Sequence, residues 1–414
     1  MTRMSRVLLA VSLAALAAYA IETVSRSGSG AAGRDFTAFW AVTRELFRTG
    51  WSGLPHLYGA AFQRRAEAGL PSPGALPAIP FVNPPLGVLL VLPLAWLSVG
   101  AAAAAWDLVG LAAMIAAALW LSGTRGLNDP RTAVALFAAA GVPTLSALGE
   151  AQYDLVLPLA VALAAVGARR HRWARLAIGS VVCTIKPELF LAYLVAAIRN
   201  PRRPAVRVAV AAVVAVAALS LLALGPRGVT RFVVLNQATL GRRFLPTHDS
   251  TILGELWNLV GGGLGAELAA GALTLAGLVA LWWAWGRWTP ASQHEWWLAL
   301  SAVACGSLLL APHLFVHDLV LLVVPAGWVA RARAERGQSL GPVVAWTLAL
   351  DLAAAFDSNT FTANLPVKAV PIALLLATVA LWRALAASRA DAAGRAQHRE
   401  AGAAPAVGAA LGAG

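Results

Sequence analysis

The run Ala101–Leu121, AAAAAWDLVGLAAMIAAALWL, decides the fold. It carries a single charged residue, and as a helix it is long enough to cross the hydrocarbon core of a bilayer, which takes about 20 residues. Apolar segments recur on both sides of it: Leu86–Val99, Thr132–Leu148, Leu155–Gly167, Leu176–Ile198, Ala205–Leu224, Leu268–Trp285, Trp296–Leu310, Leu319–Ala330, Leu340–Phe356 and Ile372–Leu385. The 414 residues are 59% hydrophobic and only 12% charged, with a mean hydropathy of +0.71. A soluble domain carries about 25% charged residues, so this chain could not coat a water-facing surface of its size. The class is an all-α polytopic membrane protein. The formal charge of +13 does not indicate nucleic acid, because the arginines sit in short clusters between apolar segments, as the positive-inside pattern requires. Cys183 and Cys305 both lie within apolar segments, so neither a disulfide nor a cysteine metal site is expected.

The segment before this run is polar and long. Arg3 and Arg6 precede Val7–Ile21, read as an uncleaved first helix, although Ala18-Tyr19-Ala20 resembles a signal-peptidase site. Either way, Glu22 to about Asn83 falls outside the cytoplasm and is too long for a simple turn. Within it, Phe36, Trp40, Thr43 and Phe47 recur at helical spacing, which predicts a helix lying in the membrane interface. Tyr58–Ala68 reads as a second such helix ending at Gly69. Topology requires one incomplete crossing between Leu86 and Leu148; Leu86–Val99, interrupted by Pro93, and Thr132–Leu148 are the candidates. Broken helices persist in membranes only where protein or a wet cavity covers them.

Leu176–Ile198 has basic clusters on both flanks, and its middle reads Thr184-Ile185-Lys186-Pro187-Glu188. This predicts a re-entrant pair of half-helices with Lys186 near the tip. A lysine at membrane depth costs ~3 kcal/mol on insertion scales, and such residues mark function by default; the alternative is a structural Lys186–Glu188 ion pair. A second outer segment is expected over 225–263, and a disordered cytoplasmic tail over 388–414. With this topology Asp35, Gly149–Asp154, His248, Asp249, His313, His317 and Asp318 converge on the non-cytoplasmic face, as an active site there would.

Asp35-Phe36, Phe39-Trp40, Gly50 and Leu57-Tyr58 look like the opening motif of glycosyltransferase family 87, the polyprenol-phosphate-sugar-dependent mannosyl- and arabinosyltransferases. Asn83-Pro84-Pro85 followed by Leu92-Pro93-Leu94 resembles its Tyr-x-Pro-Pro stretch, and Gly149 to Asp154 its Gly-Gln-x-Asn. Lys186-Pro187 matches its Lys-Pro, and His248-Asp249-Ser250 its Asn-x-Ser. Pro312-His313, His317-Asp318 and Pro325 resemble its late Pro/His segment. Glu150 and Asp154 stand where Gln and Asn are usual, and His248 stands where Asn is usual. The resemblance implies a GT-C bundle of about 9–12 transmembrane or partial helices, with interfacial helices in a first outer loop over 22–84 and a transferase domain over 1–387. It also implies a multi-pass protein of the cell membrane that transfers a sugar on the non-cytoplasmic face, by inversion and without metal or other cofactor. The expected partners are a polyprenyl-phosphate sugar, a lipid or glycan acceptor and membrane lipids, with no nucleic acid.

The chemistry of the residues agrees with that implication. Glycosyl transfer needs a base for the acceptor hydroxyl, and Asp35, ringed by Phe36, Phe39 and Trp40, is the candidate; its other reading is a helix cap. The departing phosphate needs cations and donors: Lys186 first, then His313, His317, Arg242 and Arg243. For His313 and His317 a hydrogen-bonded helix-end role competes, and their i, i+4 spacing lacks an evident third metal ligand. Trp40, Tyr58, Gln152, Asp154, His248 and Asp249 are expected to contact substrate. Most of the sixteen tryptophans sit at span ends, where an aromatic belt explains them; Trp40 and Trp257 are the better sugar or lipid contacts. A transporter, or a carrier-binding protein of envelope assembly without catalysis, is the alternative, but the chain lacks the matched halves a transporter would show.

Overall fold

A computed structural model describes residues 2–27, 32–70, 80–124, 126–199, 203–240, 250–260, 263–287, 290, 292–358 and 367–403. In chain order its helices are α1 (Arg3–Ser27), α2 (Arg34–Thr49), α3 (Ala60–Ala68), α4 (Pro85–Val91), α5 (Val99–Ser122), α6 (Pro130–Ala139) and α7 (Val142–Glu150). Then follow α8 (Leu157–Arg169), α9 (Trp173–Cys183), α10 (Leu191–Ile198), α11 (Pro204–Leu240), α12 (Ile252–Val260) and α13 (Leu264–Arg287). The last are α14 (Gln293–Leu309), α15 (Val323–Ala334), α16 (Gly341–Ser358) and α17 (Ala369–Ala403). No strand occurs among the described residues.

Five of these helices, α1, α5, α11, α13 and α17, are long and apolar enough to cross a membrane. A sixth crossing is possible through α6 and α7, which bend by 46° between Ala139 and Val142. The apolar window of α11 is only 6% buried, and Leu219 and Leu222 on it are 63% and 78% exposed. Side chains of this kind facing outward along a whole helix are at home in lipid and not in water. The opposite holds for α5, whose window is 61% buried. It starts at Ser98, whose hydroxyl accepts the Ala101 N–H, and ends at Gly123 in the left-handed conformation. Its Leu111, Met114, Ala118 and Leu121 share one core with Val161 of α8, Leu308 of α14 and Val323 and Trp328 of α15. The chain is therefore an all-α polytopic membrane protein built around α5.

Three short apolar stretches break where proline removes a backbone donor. Leu86–Val99 becomes α4 plus a 3₁₀ turn at Leu92–Leu94. Thr132–Leu148 becomes the bent pair α6 and α7. Leu176–Ile198 becomes α9, a 3₁₀ turn at Pro187–Phe190, and α10.

Other expectations need correction. In α2 the buried face is Phe36, Phe39, Trp40, Thr43 and Leu46, whereas Phe47 is 60% exposed. Residues after Leu224, read as outer loop, continue as helix to Leu240. The break is confined to Gly225, at φ 62°, where Pro226 restarts the helix and only glycine tolerates the turn. Residues 388–403, read as disordered, extend α17 to Ala403. Their alanines and arginines favour helix, and growth from an existing helix needs no new nucleus.

Candidate functional site

The site begins at the start of α2. Its N-cap is Gly33, which offers no side-chain cap; instead Glu150 Oε2 accepts the Arg34 N–H at 2.8 Å and lies 3.4 Å from that of Asp35. A carboxylate there also suits the positive end of the helix dipole. Gly33 is required for this approach, since a Cβ on it would stand 2.3 Å from Glu150 Cα. Asp35 is therefore not the cap but a first-turn residue with its carboxylate free to turn elsewhere. Gln152 Nε2 donates to Asp35 Oδ2. Between Glu150 and Gln152, Ala151 adopts φ 47° and ψ 53°, a left-handed conformation that costs a residue with a Cβ about 1 kcal/mol or more. That turn is what aims Glu150 at the helix end and Gln152 at Asp35.

An aromatic stack holds this turn in place. Tyr153 packs face to face with Phe39 of α2 at 4.2 Å and edge-on with Trp106 of α5 at 5.7 Å. Its hydroxyl donates to Gly87 O at 3.0 Å, and Trp106 Nε1 donates to Gln152 O at 3.1 Å. One residue on, Asp154 is fully buried.

Three broken helix ends then meet at one cation. Proline at 187 disfavours helix at the preceding residue, and Lys186 sits at φ −128°, ψ 71°. Its Nζ donates to Asp154 Oδ2 and to Asp318 Oδ1, each at 2.7 Å. Asp318 lies in the 3₁₀ turn Val316–Leu322 that leads into α15, and its other oxygen accepts the Phe315 N–H at 2.7 Å. The bland alternative, an ion pair between Lys186 and Glu188, is thus replaced by a bridge to two distant carboxylates. Two of the three ammonium hydrogens are committed, which leaves one for a ligand.

His317 Nε2 lies 3.9 Å and 3.8 Å from the same two carboxylates, beyond hydrogen-bond reach. Burial pushes its imidazole down to about 4, outweighing the pull of Asp318, so at neutral pH it contributes an N–H and no charge. Asp154, His317 and Asp318 can each offer one metal-ligating atom within 4.8 Å of the others. The Lys186 ammonium already sits between the two carboxylates, where a divalent ion would bind.

Most of these groups, though not Asp154 or Glu150, open onto one cavity of about 340 Å³. Asp35, Gln152, Lys186, His313, His317 and Asp318 line it together with Asn83, Glu188 and Asn236. Phe39, Ile185, Phe232 and Phe315 form apolar wall. Two buried acceptors beside it, Gln152 Oε1 and Asp154 Oδ1, find no donor among the described residues. Burial, and then Glu150, raise the Asp35 carboxyl to about 6, against the opposing pull of Lys186.

Not every candidate reaches this cavity. Trp40 is 1% exposed, packed inside the core with the Arg44 guanidinium 4.8 Å over its ring, so it is not placed to touch substrate. Tyr58 stands behind the wall: its hydroxyl donates to Asn83 O at 2.7 Å and its ring packs on Phe81 and Phe232. Asp154, also expected to contact substrate, is fully buried and accepts from Lys186 rather than lining the cavity. Arg242, Arg243, His248 and Asp249, and the side chain of Trp257, lie outside the described residues. Sequence reasoning gave no role to Glu150, and none to Asp318 beyond its place on the outer face. The signal for Asp318 was present, because it adjoins His317 in the late Pro/His segment.

Glu150→Gln separates the cap from the charge. The amide still accepts the Arg34 N–H but loses the charge that raises Asp35. The acid limb of the pH–rate profile is expected to move below its wild-type position. An unmoved limb would separate Glu150 from the titration of Asp35.

Comparison with curated proteins and with solved structures returns no match. The profile of glycosyltransferase family 87 matches residues 81–312, more than half of the 414-residue chain. That span takes in Asn83, Glu150, Gln152, Asp154 and Lys186, while Asp35 precedes it and His313, His317 and Asp318 follow. The chain belongs to glycosyltransferase family 87 and is a membrane glycosyltransferase.

Proposed function

We propose that this enzyme moves a sugar, mannose or another hexose or pentose, from a polyprenyl-phosphate donor to a lipid or glycan acceptor on the non-cytoplasmic face. The observation that carries the reading is the shared cavity. Asp35 opens onto the same half-apolar space as the Lys186 ammonium. The apolar wall suits an isoprenoid chain, and the polar pole suits its phosphate and sugar. Asp35, with its carboxyl at about 6, is mostly ionised at neutral pH yet more basic than an ordinary carboxylate, as a general base should be.

Asp35 takes the proton of the acceptor hydroxyl as that oxygen attacks the anomeric carbon. The new C–O bond forms on one face while the bond to the phosphate oxygen breaks on the other, which inverts the centre. The electron pair leaves with polyprenyl phosphate, whose charge grows from one to two negatives, and the proton stays on Asp35. The remaining Lys186 N–H, His313 and the neutral His317 N–H are assigned to the departing oxygen, and Arg242 and Arg243 to the same phosphate. Gln152 orients the base. Lys186 supplies the positive charge between Asp154 and Asp318, so the transfer is metal-independent.

Reconstitution with labelled polyprenyl-phosphate mannose and lipid acceptors tests this reading. Transfer is expected, with the rate unchanged within about twofold by a chelator. Transfer from a nucleotide sugar but from no lipid-linked donor would overturn the donor assignment, and abolition by chelator reversed by a divalent ion would overturn the role of Lys186 as resident cation.

A further inference from the structure

A second cavity, of about 380 Å³, lies at the far end of α15 between α14, α15, α16 and α17. That volume falls in the range of about 300–1,000 Å³ usual for ligand pockets. From Asp318, the rest of the 3₁₀ turn and the α-helix to Arg333 together rise about 25 Å, most of a hydrocarbon thickness of ~30 Å. The cavity is therefore at the opposite end of the bundle from Lys186, beside the cluster Arg331, Arg333 and Arg336 that the charge pattern assigns to the cytoplasmic side.

Its construction is that of a lipid site. Val329, Val343, Trp346 and Leu381 form apolar wall. Along α17 the lining is small, with Ala377, Ala380 and Ala384 at i, i+3 and i+7, and Ala380 and Ala384 are exposed, so the groove opens sideways where acyl chains would lie. Arg333 and Arg336 stand at its mouth. Their neighbours Arg331 and Arg389 are ion-paired, with Glu335 at 3.0 Å and Glu295 at 3.3 Å. Among the described residues Arg333 donates only to Ser339 O and Arg336 only to Ser388 Oγ, each at 2.6 Å, and neither has a carboxylate within ion-pair distance. Each guanidinium keeps further N–H groups for an anion. Among the described residues Asp391 is the only carboxylate in the lining, so with the two arginines it leaves a net charge of one positive.

We propose that this cavity is a binding site for an anionic glycerophospholipid, with its phosphodiester on Arg333 and Arg336 and an acyl chain along the alanine face of α17. The net positive lining complements one phosphodiester that has no ammonium of its own. The site is separate from the donor cavity and does not depend on the transfer reaction.

Native mass spectrometry of the full-length protein, equilibrated with equal phosphatidylglycerol and phosphatidylethanolamine, is the test. The wild type is expected to retain one phosphatidylglycerol at least fivefold over phosphatidylethanolamine. Arg333→Gln with Arg336→Gln should erase that preference, and Ala380→Trp, which fills the groove from an exposed position, should abolish retention with both arginines intact. Equal retention of the two lipids by the wild type, an undiminished preference in the double variant, retention by Ala380→Trp, or a stronger preference for a polyprenyl phosphate would each overturn the site. Sugar transfer measured in detergent is expected to stay at the wild-type rate in both variants, which separates loss of lipid from loss of fold.

Discussion

Asp35→Asn is expected to lower sugar transfer by about 10²–10⁴-fold, the usual contribution of a positioned general base, without loss of fold. The asparagine keeps shape and still accepts the hydrogen bond from Gln152 Nε2, so the cavity is preserved. What it cannot do is take the acceptor proton. The wild-type rate should fall as pH drops through about 6, where burial and Glu150 place the Asp35 carboxyl, and this limb should be missing from the residual rate of the variant. Stability moves in the other direction. The folded value lies above the ordinary carboxylate value of about 3.9, so the contribution of Asp35 is complete below that pH and is lost as pH rises through about 6. At pH 7.5 the ionised group opposes folding, and Asp35→Asn should melt at the wild-type temperature or above it. A purified variant that retains transfer within tenfold of wild type would remove Asp35 from the base role.

Lys186→Met is expected to cost about 3–5 kcal/mol of stability, because it leaves two buried carboxylates facing each other without their cation. Denaturation in detergent, compared with wild type, reads that loss directly. The compensated variant, with Asp154→Asn and Asp318→Asn added, removes the stranded charges and should recover most of the stability. It should not recover transfer, since the N–H assigned to the donor phosphate is gone. Wild-type stability in Lys186→Met would contradict the bridge, while restored transfer in the compensated variant would leave Lys186 with a purely structural task. A buried cation between two acids is weak evidence for stability on its own, so the two measurements have to be made together.

The helix breaks were legible in the chain because they have local causes. Pro93 and Pro187 each lack a backbone donor, and the structure breaks near both; Thr132–Leu148, which bends near Pro143, was singled out by the number of crossings rather than by its proline. The spacing of Phe36, Phe39 and Trp40 was enough to read α2 as a helix with a buried face. It did not say which aromatics end in the core and which reach a cavity: Phe39 lines the wall and Trp40 does not. Both lie on one helical stripe, and only the elements packed against that stripe tell them apart. The helical course of residues 226–240 and 388–403 was missed for a related reason. Their mixed composition, with polar residues and glycine among the apolar ones, suits a loop as well as a helix, and an adjoining helix decides between them.

By itself, the sequence determined that this is a helical membrane protein, and it put forward Asp35, Gln152, Lys186, His313 and His317, which line the cavity, on equal terms with Trp40, Tyr58 and Asp154, which do not. Apolar length and the expense of charge at membrane depth are properties of a segment, whatever packs beside it. Only the tertiary structure decided the partners. Proximity in the chain favoured Glu188 for Lys186, yet the ammonium bridges Asp154 and Asp318, 32 and 132 residues away. Likewise Glu150, 116 residues beyond Arg34, caps α2 and raises Asp35. Charge carries no periodicity that would reveal its partner in advance; a buried ion takes whichever opposite charge and hydrogen-bond geometry the packed helix ends bring within about 3 Å.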